Sequence, residues 1–203
     1  KLRAAVKGPL TYDAERQDSN LARNTLFELA IAARLAALGL EPQFVPPSDV
    51  FILLGGRSVL VECKRPQNLD NLGINARKAF RQLEKRYVQV KHPRTRGIIA
   101  LDVSKAINPN FQILNFRDDR EIAEKMSRLI DKLVSGNPAV FQAARHKNTF
   151  GAILKFSAMA VNQEQKRLTQ CQQYGFVEIP SRRESDRELV MDLAKRADTV
   201  TTV

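Results

Sequence analysis

Two short apolar runs around a double glycine constrain this chain more than any other feature. Val50 to Leu54 and Ser58 to Val61 flank Gly55-Gly56, and paired glycines tolerate the positive φ that a tight hairpin turn requires. The segments predict an antiparallel hairpin whose side chains alternate between two faces. One face carries Val50, Ile52, Leu54, Val59, Val61 and Cys63; the other carries Phe51, Leu53 and Leu60. Both faces are apolar, so the hairpin needs cover on both sides. A sheet with helices on each face supplies that cover, which makes α/β the expected class.

The second face also carries Asp49, Glu62 and Lys64. If Leu54 pairs with Arg57, Asp49 stands opposite Glu62; a loop two residues longer sets it opposite Lys64. Either register keeps the three on one face. Burying a charge is costly unless it is paired or coordinates a metal. Two neighbouring carboxylates form a hard oxygen site suited to Mg²⁺. A lysine beside them can orient or deprotonate a water and offset charge on a phosphate oxygen. Together these describe metal-assisted phosphodiester hydrolysis. The plainer alternative makes Asp49 a strand opener after Pro46-Pro47, and Glu62 with Lys64 an exposed polar face.

Upstream, Leu26 to Leu38 is apolar nearly all round except for Glu28 and Arg34. It predicts a helix packed on the sheet, with Ser19 or Asp18 as N-cap and Gly39 at C′. Glu28 lies seven residues from both Leu21 and Leu35, so it is expected to point inward. There it is either a buried glutamate held by Asn24 or an arginine, or a direct or water-mediated ligand of the same metal site.

The order helix with Glu28, strand, Asp49 strand, hairpin, Glu62-Cys63-Lys64 strand, helix, strand resembles the PD-(D/E)xK nuclease superfamily, the restriction-endonuclease-like fold. The motif falls on Pro47 or Ser48 before Asp49, then on Glu62 and Lys64; Ser48 separates the Pro-Asp pair. Glu28 matches an acidic residue that some members carry on the first helix. The resemblance covers about residues 19–104. It implies an αβββαβ core with a mixed central sheet flanked by helices, and a Mg²⁺-dependent nuclease in which Mn²⁺ substitutes. Asp49 and Glu62 would hold the metal, with the Cys63 carbonyl and Glu28 as further ligands, and Lys64 would position the attacking water. Gln82 and Tyr87 are loosely similar to a glutamine–tyrosine pair of exonuclease branches.

The net charge of +11 suits a polyanionic partner. From Lys64 to Arg96 there are ten basic residues and two acidic ones. Between Asn75 and Val90, Ala76, Ala79, Phe80, Leu83, Tyr87 and Val90 have helical spacing, leaving cations on the remaining face. Arg65, Arg77, Lys78, Arg81, Gln82 and Lys85 are the expected nucleic-acid contacts, with double-stranded DNA the expected partner. Gly97 to Leu101 reads as the next strand, and Asp102 as the cap of the turn after it.

The 203 residues fit one domain, with 105–203 completing the sheet and cleft. That part predicts an amphipathic helix over 121–134, a short helix from Asn137-Pro138 to about His146, strands over 149–161 and 170–179, and a charged helix over 184–196. With no long apolar run and no secretory signal, the expected location is cytoplasmic. Lys1 at the start suggests a fragment or processed chain. Cys63 and Cys171 form no metal or disulfide pattern, and the two histidines fall on unrelated segments, which argues against zinc. No glycine-rich phosphate loop appears. A homodimer would suit symmetric cleavage of both DNA strands. The rival functions are a catalytically inactive DNA-binding or scaffold protein of the same fold, and an RNA-directed nuclease.

Overall fold

A computed structural model describes residues 21–142, 148–180 and 183–199. The expected cap at Asp18 or Ser19 and the end of the short helix near His146 lie outside the described residues. The element order is α1 (Leu21–Ala37), β1 (Val50–Leu54), β2 (Arg57–Lys64), α2 (Asp70–Val90), β3 (Arg96–Asp102), α3 (Ser104–Ile107), β4 (Leu114–Phe116), α4 (Asp119–Gly136), α5 (Pro138–Gln142), β5 (Thr149–Asn162), β6 (Arg167–Glu178) and α6 (Glu184–Thr199).

The hairpin closes with two residues. Gly55 and Gly56 adopt φ of 54° and 69°, and Leu54 pairs with Arg57 while Val50 pairs with Val61. The shorter register therefore holds, and the next position beyond Val50 and Val61 sets Asp49 beside Glu62. β2 continues the sheet in parallel with β3, and β3 with β5. β6 runs antiparallel along β5 from Gly151 to Asn162, so β3 and the short β4 share the other side of β5. The result is an α/β structure with a mixed six-stranded sheet.

The alternating side chains divide into two cores. Leu60, Ile99, Leu101, Leu154 and Phe156 pack under α2 and α4; Val50, Ile52, Val59, Val61, Cys63, Ile98 and Ile153 pack under α1 and α6. Ile31, Leu35, Ile52 and Leu54 are at most 1% exposed, and each such aliphatic side chain contributes about 1.5–3 kcal/mol by leaving water. Gly97 is required where α2 crosses β3: a Cβ there would collide with the Tyr87 hydroxyl. That hydroxyl shares a 2.9 Å hydrogen bond with Thr149, and burial raises its pKa.

Three details depart from the sequence reading. Leu53 is 62% exposed, because β1 is the sheet edge and the helix on that side stops short of it; only β2 is covered on both faces. The strand expected before β1 is reduced to one bridge, Gln43 with Phe51, whose backbone groups exchange two 2.8 Å bonds. Pro42, Pro46 and Pro47 bracket it, and none has an N–H to extend a ladder. Glu28 is half-buried rather than inward. Leu35 is fully buried and Leu21 is 68% exposed, and a seven-residue repeat drifts about 20° per heptad on a straight helix. The stripe thus rotates off the sheet toward the helix start.

α2 begins at Asp70, a turn before the expected Asn75. Neither α3 nor β4 was legible, being four and three residues long. Among the described residues no helix is long and apolar enough to cross a membrane.

Candidate active site

The end of β2 delivers two charged side chains to the α2 face, Glu62 and Lys64, with Cys63 between them turned into the opposite core at 8% exposure. Asp49 arrives from the segment before β1. Its Oδ2 accepts the Cys63 backbone N–H at 2.8 Å, which fixes the carboxylate against the strand. Glu62 is 1% exposed and cannot stand alone there as an anion. Lys64 Nζ donates to Glu62 Oε1 at 2.5 Å and to the Cys63 carbonyl at 3.1 Å.

A fourth residue completes the group. Arg86 of α2 forms an ion pair with Glu62 Oε2, and its Nη2 lies 3.6 Å from Asp49 Oδ1. Arg86 belongs to the basic run but not to the expected site. Its signal was positional: it follows Leu83 by three and Ala79 by seven, at the edge of the buried stripe, where a long side chain reaches the sheet. The other cations of this helix do not join the site. Lys78, Arg81 and Lys85 are exposed on the face opposite Leu72, Ala76 and Leu83, with Arg77 and Gln82 exposed beside them. Tyr87 faces Gly97 and Thr149, away from Gln82, so the two do not form a pair.

Lys64 feels the whole cluster. Burial lowers its pKa below the ordinary 10.5, while Asp49, Cys63 and Glu28 oppose that shift. Glu28 thus lies close enough to act on Lys64, from the middle of α1. Asp49, Glu62 and Lys64 are brought together, Glu28 stands near them, and the Cys63 carbonyl opens into the same space.

These groups fit a divalent cation in one respect. The two carboxylates converge on a single guanidinium, so the point between them already accommodates positive charge, and the Cys63 carbonyl lies alongside. Among the described residues, however, no group of three or more His, Cys, Asp or Glu side chains is arranged to hold a metal ion. Any ion here would draw on a backbone carbonyl or water beyond the two carboxylates.

Arg65 turns to the other face, where its Nε lies 3.3 Å from Asp102 Oδ2. Asp102 also accepts from the Ser104 amide and hydroxyl, capping the turn after β3. Lys155 stands beside Asp102 in the register, 8% exposed, and donates to Ser157 Oγ at 2.6 Å. No sequence signal singles out Lys155, since one lysine in an alternating strand reads as an outward residue.

Comparison with family models, with curated proteins and with solved structures finds no match.

Proposed function

We propose that this chain is a metal-dependent deoxyribonuclease with a restriction-endonuclease-like core. The observation that carries the reading is the convergence of Asp49, Glu62 and the Cys63 carbonyl on cationic groups at one strand end, with Lys64 within hydrogen-bond reach of both Glu62 and that carbonyl. The exposed cations Arg77, Lys78, Arg81 and Lys85 on the adjacent helix support a polyanionic substrate.

In this reading Asp49, Glu62 and the Cys63 carbonyl hold Mg²⁺, with Mn²⁺ able to replace it and Glu28 acting as an outer ligand. A cation held by these groups would supply Lewis-acid polarisation of the phosphodiester and a more acidic water. Lys64 orients the attacking water and, through its lowered pKa, can take its proton nearer neutrality than an ordinary lysine could. Arg86 pairs with Glu62 and Asp49 and places a guanidinium beside the site that would stabilise the developing charge on the phosphate. Duplex DNA is the substrate that suits a wide cationic helix face in a chain with few aromatic residues.

Supercoiled plasmid and linear duplex incubated with Mg²⁺, Mn²⁺, Ca²⁺ or EDTA test the proposal. Cleavage with Mg²⁺ or Mn²⁺, lost in EDTA and in Asp49→Asn and Glu62→Gln, is the expected result; wild-type nicking by either variant overturns it. One observation favours a second reading, an inactive DNA-binding module: Arg86 and Lys64 already neutralise the carboxylates. Salt-sensitive DNA retention without cleavage under any metal would select that reading.

A further inference from the structure

β6 is an open edge of the sheet. It runs twelve residues along β5, and among the described residues no strand pairs with its other side. None of its residues is buried, whereas β5 beside it is buried almost throughout. Ile179 N donates to Phe150 O at 3.0 Å, which makes those two a hydrogen-bonded pair of the ladder. Alternation from that pair turns the backbone groups of Leu168, Gln170, Gln172, Tyr174 and Phe176 away from β5. Among the described residues no backbone group bonds to them from outside the strand. A side chain of the strand itself, Gln173 through Nε2, lies 3.5 Å from the Tyr174 carbonyl oxygen.

A free edge invites pairing with another chain, and natural sheets guard theirs by shortness, proline, charge or a bulge. The other edges of this sheet follow that rule. β1 has five residues and carries the Gln43 bridge among its prolines, and β4 has three residues. β6 has no such guard. In a chain that is 27% charged, Leu168 to Val177 holds neither a charged residue nor a proline. Its register along β5 has no bulge. Charges stand only at the two ends, Lys166 and Arg167 before this run and Glu178 after it.

The opposite charge of those ends selects the occupant. A second copy, running antiparallel about a two-fold axis at Gln172, sets Lys166 opposite the second copy's Glu178 and Leu168 opposite its Phe176. Gln170 then faces Tyr174, and Gln172 faces its own counterpart. Every outward residue from Leu168 to Phe176 meets another outward residue, and each such pair can exchange two backbone bonds. A parallel copy would set like charge against like at both ends. On the α1 side of this edge a cleft of about 660 Å³, bounded by Ala30, Ala33 and Arg34, leaves room for the second copy's side chains. We infer that β6 is a homodimer interface, pairing with β6 of a second copy so that two six-stranded sheets join into one. The pairing stands independently of the nuclease reading.

Light scattering behind a sizing column, without DNA or metal, tests the inference apart from any cleavage assay. Wild type is expected at twice the 22.9 kDa of the chain. Gln172→Lys sets two ammonium groups face to face at the axis and should weaken the dimer about 100-fold, as juxtaposed like charges do in an interface. Gln172 is exposed, so the lysine leaves the monomer's fold and its circular dichroism unchanged. Gln172→Pro deletes an outward N–H and no bond to β5, and should likewise give a monomer. An equal mixture of Gln172→Lys and Gln172→Glu should recover the dimer, because residue 172 meets its own counterpart. Wild type at the monomer mass throughout the micromolar range overturns the inference, as does a dimer that Gln172→Lys leaves intact. A mixture that stays monomeric overturns the two-fold register at Gln172. Growth of wild type past the dimer overturns the closed pairing.

Discussion

The two ends of β2 each hold a buried cluster of arginines and carboxylates, and the clusters are built to opposite ends. At the start of β2 and β3, Asp186 of α6 takes Arg57 Nη1 at 2.8 Å and Arg96 Nε at 2.7 Å on a single oxygen. Arg96 also donates to the carbonyls of Pro93 and Thr95. Asp186 is 1% exposed, and its cations are met by backbone as well as carboxylate. At the far end, Asp49 and Glu62 share Arg86, Glu62 also takes Lys64, and the Asp49 side chain remains 21% exposed. The first cluster clamps a helix to strand starts. The second brings two anions to one point at the mouth of the sheet, which is more than packing needs.

The largest effect should come from the clamp. Asp186→Ala leaves two arginines near the sheet without their shared carboxylate, and breaking a buried pair from one side costs about 3–5 kcal/mol. A urea titration should show that loss, unchanged by added Mg²⁺. A loss that Mg²⁺ restores would erase the distinction between the ends.

Next comes Lys64→Ala. Here the cost should fall on chemistry: plasmid cleavage drops about 10²- to 10⁴-fold, the usual weight of a positioned proton acceptor. The variant's melting temperature should stay near that of wild type, because Arg86 still pairs with Glu62 when Lys64 is removed. A comparable fall in stability with cleavage intact would make the far end a clamp as well.

The hairpin and the shared face of Asp49, Glu62 and Lys64 were legible because side chains alternate strictly, whereas the register stayed open between two loop lengths until the pairing of Leu54 with Arg57 decided it. Cys63 in the core followed from the same alternation, and Asp102 capping its turn from its place at a strand end. Arg86 was not, because sequence spacing says which side of a helix a residue takes but not how far a flexible chain reaches. Asp186 was hidden for a different reason: it lies 129 positions from Arg57 and 90 from Arg96, and no local pattern links them. Lys155 was hidden because its burial depends on what packs over that part of β5, which no local pattern states. Glu28 shows the limit of a heptad argument, since a small drift per repeat moved it from the core to the rim.

A smaller effect separates the ends by ion dependence. Arg86→Gln leaves Glu62 and Asp49 without their shared guanidinium, so the variant should be less stable than wild type in EDTA. Added Mg²⁺ should restore stability, by about 2.7 kcal/mol at a hundredfold excess over its dissociation constant. Arg96→Gln, at the clamp, should show no such rescue. Thermal melts of both variants across a Mg²⁺ series read this directly, and equal responses would remove the case for a cation site at Asp49 and Glu62.

The smallest effect concerns Lys155, which sits at the active end of the sheet with a hydroxyl as its close partner. Burial holds its pKa below 10.5, with Asp102 opposing and Arg65 adding to the shift. In the unfolded chain the amine keeps its ordinary pKa, so between the two values the unfolded state binds more protons. Stability from this group therefore rises with pH through that window, and its penalty is fully present below the folded pKa. Lys155→Met removes the titration. Urea midpoints for wild type and variant should differ by a constant amount at low pH, and wild type should gain on the variant as pH approaches 10.5. A difference that stays flat to pH 10.5 would mean that Asp102 compensates Lys155 as fully as Asp186 compensates its arginines, and the two ends would then differ only in the group around Glu62.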